Sequence, residues 1–429
     1  MTGRADRRRP LLVAIVLIAA IRTALVAPVV IGARKGVPIP GTTVRADSRE
    51  SLTVAAPLAL FPSPAVVLER GTVALVSPAT GENRAGALMR ALMVGDADLV
   101  LDGARLVVDR APVGEAPSGA SAGAASPSEE LRHVVASLAG LRFRSLTVLD
   151  STLVIETGRG EPETVSLASV EIVPGRNGLV GAKGRIEYRG EPLDIDLAAT
   201  PPPAGTEGAP AEIRAAVKGE HVALSFAGRL ALGDHAQLTA DGAELSIAGL
   251  RGFADWLGVS WPSGSGLGPF TARGHLTLDD RSASFEHAEF TLDGNAATGA
   301  LMVKLGPERP SVEGTLAFST FDIAPYATPS RPYALALASD WISGLRIPGL
   351  ASPSFLRGMD ADIRISAAAV TSGSDRLGRG AASVSVRDGK LFGEIVELEL
   401  EQGGRGEGQL TIDSTGSDPR YVLRAELTD

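Results

Sequence analysis

The chain has 429 residues, 44% hydrophobic, 4% aromatic and none of them cysteine, which excludes a disulfide framework, a thiolate zinc site and a cysteine nucleophile. Its formal charge of −9 is uneven: residues 1–35 hold Arg4, Arg7, Arg8, Arg9, Arg22, Arg34 and Lys35 against Asp6, a net of +6, so the remainder carries −15. A body that acidic repels a phosphate backbone and argues against nucleic acid as a partner.

The positive end precedes an apolar run, "GRADRRRPLLVAIVLIAAIRTALVAPVVIGARKG". Residues 1–10 form a basic tail expected in the cytoplasm, and residues 11–33 a transmembrane anchor. As a helix, residues 11–32 span about 33 Å, enough to cross a bilayer's hydrocarbon layer. Arg22 lies inside the run and costs about 3 kcal/mol on insertion scales unless it snorkels. The competing reading is a cleaved signal peptide ending at Ala33. Either way the chain is exported. The expected location is the inner membrane of a Gram-negative cell, single-pass, with the bulk in the periplasm.

From about residue 45 the pattern is short runs of period two, broken by Gly, Asp, Asn or Pro. Examples are "AVVLERGTVALV" (65–76), "ADLVLDGARLVVDR" (97–110), "LTVLDSTLVIET" (146–157) and "YRGEPLDIDLAA" (188–199). About twenty strands are predicted. Asp102-Gly103, Asp241-Gly242, Asp293-Gly294 and Asp388-Gly389 fit tight hairpins or bulges. Short helices are predicted over 85–95, 128–141, 250–258 and 339–345. The loops at 116–129 and 200–212 help to divide the body into β-rich regions at 45–200, 211–330 and 331–429.

Glycine opens a recurring unit at Gly184, Gly228, Gly274 and Gly408. Each unit is a hairpin with one apolar face, and such units need neighbours to cover that face. In "GHLTLDDRSASFEHAEFTLDG" (274–294), Leu276 and Leu278 alternate on one strand and Phe290 and Leu292 on the next. Laid side by side at roughly 4.8 Å, twenty strands make a sheet about 95 Å long.

The search for chemistry finds little. His133, His221, His235, His275 and His287 form no HExxH; His275 and His287 flank one hairpin and could face each other, but two polar-face strand residues are the expected reading over a metal site. "GSGLGP" (264–269) lacks the third glycine of a dinucleotide loop and is expected to be a linker. No GxSxG elbow occurs. Asp96, Asp98 and Asp102 alternate with Leu99 and Leu101, as on a strand edge rather than in a calcium loop. Trp256 and Trp341 are expected in helix–sheet contacts, while Trp261 is left as a lipid-interface or ligand-stacking residue. The chain is expected to be no enzyme, with no catalytic residue, metal or cofactor.

The remaining question is what covers the apolar faces. A self-closing sandwich is one answer. The other is a long curved sheet whose concave face holds acyl chains, which the aliphatic, aromatic-poor wall favours. The candidate groove residues are Leu276, Leu278, Phe290, Leu292, Leu301, Val303, Leu316 and Phe318; ordinary sandwich core is the competing assignment for all eight.

Several stretches together resemble AsmA-type proteins. They are "LALFPSPAVVLERGTVAL" (58–75), "AELSIAGLRGFADWLG" (243–258), "ATGALMVKLGPERPSVEGTLAFSTFDIAPY" (297–326), and the block from Asp360 to Asp413 with its Asp-Gly-x-Leu turn. The specific part is their order. The resemblance implies a mainly β protein: an elongated, curved, taco-like antiparallel sheet of repeated hairpins with a few short helices, plus one N-terminal transmembrane helix. It implies a membrane-anchored periplasmic protein that binds phospholipid acyl chains in a hydrophobic groove. It also implies a part in outer-membrane biogenesis and in phospholipid transport between envelope membranes. The alternative is a non-enzymatic assembly or scaffold factor for outer-membrane proteins. Expected partners are the inner membrane, phospholipid and other envelope proteins. Arg22 inside the anchor departs from the family pattern. Family members usually continue beyond the repeat in which Asp429 falls, so the resemblance is compatible with a short member or a piece of a longer protein.

Overall fold

The computed structural model describes residues 44–46, 51–54, 58–59, 65–75, 98–109, 145–155, 163–174, 180–200, 209–232, 236–257, 266–279, 281–305, 309–326, 353–401, 403–416 and 420–428. The predicted anchor and the helices predicted over 85–95, 128–141 and 339–345 lie outside them, as do Trp261 and Trp341. Among the described residues no helix is long and apolar enough to cross a membrane.

The described chain is mainly β, with few and short helices. It divides into two compact units, one holding residues up to Glu220 with Leu224–Leu238, the other Thr239–Asp429 with His221–Ala223.

In the first unit β1 (Val44–Ala46), β2 (Ser51–Val54), β3 (Leu58–Ala59) and β4 (Ala65–Leu75) begin the sheet. Then come β5 (Asp98–Asp109), β6 (Ser145–Ile155), β7 (Glu163–Pro174), β8 (Val180–Tyr188), β9 (Glu191–Thr200) and β10 (Ala211–Lys218). Alternation explains the sheet's two faces. In β10 every second residue of AEIRAAVK is buried and its neighbours are exposed. Leu101, Val148, Val170 and Ile195 follow one another across β5, β6, β7 and β9, with Gly184 of β8 between the last two. Val148 and Val170 are each only 1% exposed, and burying such a side chain contributes about 2 kcal/mol. This face is closed by the protein's own residues.

β11 (Val222–Leu232) and β12 (Ala236–Ile247) follow, then α1 (Leu250–Trp256), inside the helix predicted over 250–258. The second unit continues with β13 (Phe270–Leu278), β14 (Ser282–Leu292), β15 (Asn295–Leu305), β16 (Pro310–Phe318) and β17 (Phe321–Asp322). A 3₁₀ turn covers Ala324–Tyr326. After α2 (Pro353–Gly358) come β18 (Asp360–Ser372), β19 (Asp375–Arg387), β20 (Lys390–Leu400), β21 (Arg405–Asp413) and β22 (Arg420–Thr428).

Among the described residues three pairings, at two places in the chain, differ from a series of antiparallel hairpins. β5 pairs with β6 in parallel, and β16 and β17 pair with β18 in parallel. A parallel pair needs a crossover of a dozen or more residues, and residues 110–144 and 327–352 fall in these two connections. The helices predicted over 128–141 and 339–345 belong to those connections.

The four Asp-Gly pairs separate into two uses. Asp293 and Gly294 (φ 51° and 83°) turn β14 into β15, and Asp388 and Gly389 (φ 53° and 79°) turn β19 into β20. Positive φ at both central residues is the twist-matched hairpin geometry. Gly103 and Gly242 also have positive φ, but they lie within β5 and β12. At Gly103 the register with β4 shifts, and the free Ala104 N–H donates to Ser151 Oγ at 3.0 Å. This is a bulge, not a turn.

Candidate functional site

The hairpin predicted from 274–294 is β13–β14. Leu276 stands opposite Phe285 and Leu278 opposite Ala283, while Phe290 stands opposite Ala272 and Leu292 opposite Phe270. Directly opposed residues share a face. A bulge at Glu286–His287 keeps all four predicted residues on that face by skipping one position. Gly274 sits opposite this bulge. A Cβ there would lie 2.5 Å from the Ala288 Cβ, so only glycine admits the close approach.

The face continues across the sheet. Phe285 opposes Leu301, Leu301 opposes Gly314, and Gly314 opposes Ile363. Ile363 opposes Val384, then Gly393, Leu410 and Leu423 follow on β20, β21 and β22. A neighbouring row runs from Gly299 through Leu316 and Ile365 to Ala382 and Ile395. Val303 and Phe318 lie on the same face, opposite Val312 and Ala297. All eight predicted groove residues therefore share one apolar face, which reaches β22.

Cover over this face varies from place to place. Leu276, Leu278, Phe290 and Phe318 are buried; Leu292, Leu301, Val303 and Leu316 are half-buried. Ile363 and Ile365 are half-buried too, and Ile395 is 44% exposed. At β13 and β14 Leu276, Leu278, Phe285 and Phe290 are core. At β20 part of the face is open.

Both ends of the face have polar fastenings. At one end Leu356 of α2, 0% exposed, packs on Val386, Leu391 and Ile412. Arg357 Nε donates to the Ser414 carbonyl at 2.8 Å, and Nη2 donates to the same oxygen and to the Gly416 carbonyl. At the other end the Asp293 carboxylate accepts from the Leu267 and Gly268 N–H groups at 2.8 and 2.7 Å. Residues 266–269, from the glycine-rich "GSGLGP", thus form a fastened lead into β13. Asn295 and Asp322 hold each other through two hydrogen bonds, and Phe318, Phe321 and Tyr326 pack ring to ring. Burial, followed by the Asp293 carboxylate, pushes the Tyr326 hydroxyl pKa well above its ordinary value.

The opposite face is mostly polar, with Phe392 and Val422 exposed on it. A cavity of about 970 Å³ opens there on β14–β16, with Ser284, Glu289, Thr298, Glu313 and Arg364 in its wall. These five residues alternate with the apolar rows, but Phe285, Gly299, Leu301 and Gly314 of those rows also line the cavity, so its wall includes the predicted groove residue Leu301. His287 also lines it, at the bulge with φ 48°. His275 instead holds Asp241, Nδ1 to Oδ1, at 2.6 Å. The two histidines do not meet, since Glu286 stands opposite His275. Among the described residues no three His, Asp or Glu side chains gather closely enough to hold a metal. Trp256 packs edge-on to His221 beside Phe253.

The groove residues expected from sequence stop at Phe318, and beyond them only the Gly408 hairpin is expected to have an apolar face; sequence reasoning missed β20 and the plug. In β20, "KLFGEIVELEL", Leu391, Gly393 and Ile395 alternate, and the register shift between Ile395 and Leu398 moves the face onto Leu398 and Leu400. That phase change hides the pattern. Leu356 lies in a six-residue helix with no periodicity to read. No family model, curated protein or solved structure matches the chain.

Proposed function

We propose that the protein is a non-enzymatic lipid-binding protein of the cell envelope, of AsmA-like type. Its apolar sheet face accommodates phospholipid acyl chains. The observation that carries this reading is the apolar face from Leu276 to Leu423, which is open at Ile395, 44% exposed. Aliphatic and small side chains make a smooth wall that suits hydrocarbon without fixing one orientation. Leaving such a surface in water is unfavourable by roughly 25 cal/mol per Å². The basic tail and apolar run of residues 1–33 support placement at the inner membrane, with the sheet in the periplasm and phospholipid passing between envelope membranes.

The test is extraction of the full chain purified in mild detergent, followed by mass spectrometry of bound lipid. Phospholipid retained in stoichiometric amount supports the reading. A chain that retains none, and carries an outer-membrane protein precursor instead, supports the assembly-factor alternative and ends the lipid proposal.

A further inference from the structure

We propose that α2 is the end stop of the apolar face and sets the length of acyl chain it accepts. This rests on the lipid-binding reading above. Leu356 is completely buried on Val386, Leu391 and Ile412, the last apolar residues of β19, β20 and β21 at that end. The face is closed there. Away from α2, along β20, the face opens at Ile395: Leu391 is buried, Ile395 is 44% exposed, and Leu398 is half-buried. A chain entering beside Ile395 and Leu398 therefore runs along the strands and meets Leu356 with its methyl end.

The dimensions fit this placement. Leu391 and Leu398 are seven positions apart, about 23 Å at roughly 3.3 Å per residue. One bilayer leaflet is about 15 Å deep, half of the roughly 30 Å hydrocarbon layer. A phospholipid tail thus fits between the open edge and the plug, with its headgroup left outside.

The stop is also held from outside the apolar face. Arg357 binds the Ser414 and Gly416 carbonyls, and Ser414, itself buried, donates through Oγ to the Gly389 carbonyl at 2.5 Å. Arg309 bridges Asp360, at the α2–β18 junction, to Asp388 in the β19–β20 turn. α2 is therefore tied to three connections, and these ties keep Leu356 in place when a chain presses on it.

The experiment incubates the full chain with vesicles of phosphatidylglycerol carrying short, medium and long acyl chains in equal parts. Bound lipid is then identified by mass spectrometry. Leu356→Ala is expected to shift the bound distribution towards chains longer by about three carbons, the number deleted from the side chain. Leu356→Phe is expected to shift it towards shorter chains, which keeps the test decisive if the alanine variant does not fold. Lipid bound by wild type and variants with one unchanged length distribution overturns the end stop and leaves the lipid reading standing. A wild-type chain that binds no lipid overturns both.

Discussion

Arg357 and Ser414 are 57 positions apart in sequence, yet the arginine Nε lies 2.8 Å from the serine carbonyl oxygen. Its guanidinium serves two carbonyls that have no strand partner, those of Ser414 and Gly416. Charged donors make the stronger hydrogen bonds. Arg357→Ala is expected to cost about 1.5 kcal/mol at this corner. Amide hydrogen exchange at Leu356 reads it: faster exchange there, with β13–β15 unchanged, is the expected result.

Asp293 carries the opposite corner. Asp293→Ala leaves the Leu267 and Gly268 N–H groups without their acceptor, at a cost of about 1–3 kcal/mol. It also lowers the raised pKa of Tyr326, only in part, because burial is the larger cause. The sign follows from linkage. The fold favours the neutral hydroxyl, so stability is level below pH 10 and falls as the unfolded chain begins to ionise there. Ultraviolet titration is expected to show Tyr326 ionising well above pH 10 in the wild type and at lower pH in the variant.

Asp413 titrates in the other direction. The Thr415 hydroxyl, at 2.6 Å, and the Thr415 N–H, at 3.0 Å, both donate to its carboxylate, and Lys390 stands 3.3 Å away. Together they lower its pKa to about 2. A depressed carboxylate contributes stability above its ordinary pKa of 3.8 and loses it as pH falls towards 2. Thr415→Val removes the hydroxyl, the largest cause. An NMR titration is expected to place Asp413 nearer its ordinary value in that variant.

Ile395 separates stability from binding. At 44% exposure it contributes little to the core, so Ile395→Glu is expected to change stability by no more than about 0.5 kcal/mol. A carboxylate on the apolar face cannot be buried under hydrocarbon without a partner. Bound phospholipid is expected to fall at least tenfold. Phe290→Asp, on the covered part of the face, is expected to unfold the second unit instead. Circular dichroism and lipid counting on the same samples distinguish the two.

The apolar face was legible in sequence where alternation held its phase. Leu276 and Leu278 show it directly. Phe290 and Leu292 show it on the next strand because the Glu286–His287 bulge falls between them and Leu276's partner, Phe285. It was illegible in β20, where the register shift moves the face from Ile395 to Leu398. The glycine of each Asp-Gly pair has positive φ at all four sites, but the dipeptide carries no information on whether a strand ends there. Asp293-Gly294 ends β14, while Asp102-Gly103 only bends β5. Parallel pairing of β16 with β18 was hidden for another reason: it depends on a crossover, and a crossover leaves no mark on the strands it joins.

That crossover governs the order in which the second unit can assemble. β13 to β16 are joined by short connections and can zip together as soon as each leaves the ribosome, and β18 to β22 can do the same. The seam between β16 and β18 must wait for a long loop to close, and non-local closure of this kind is the slow step in β-rich chains. Until it closes, β16 and β18 would each present an unpaired strand edge to the cell.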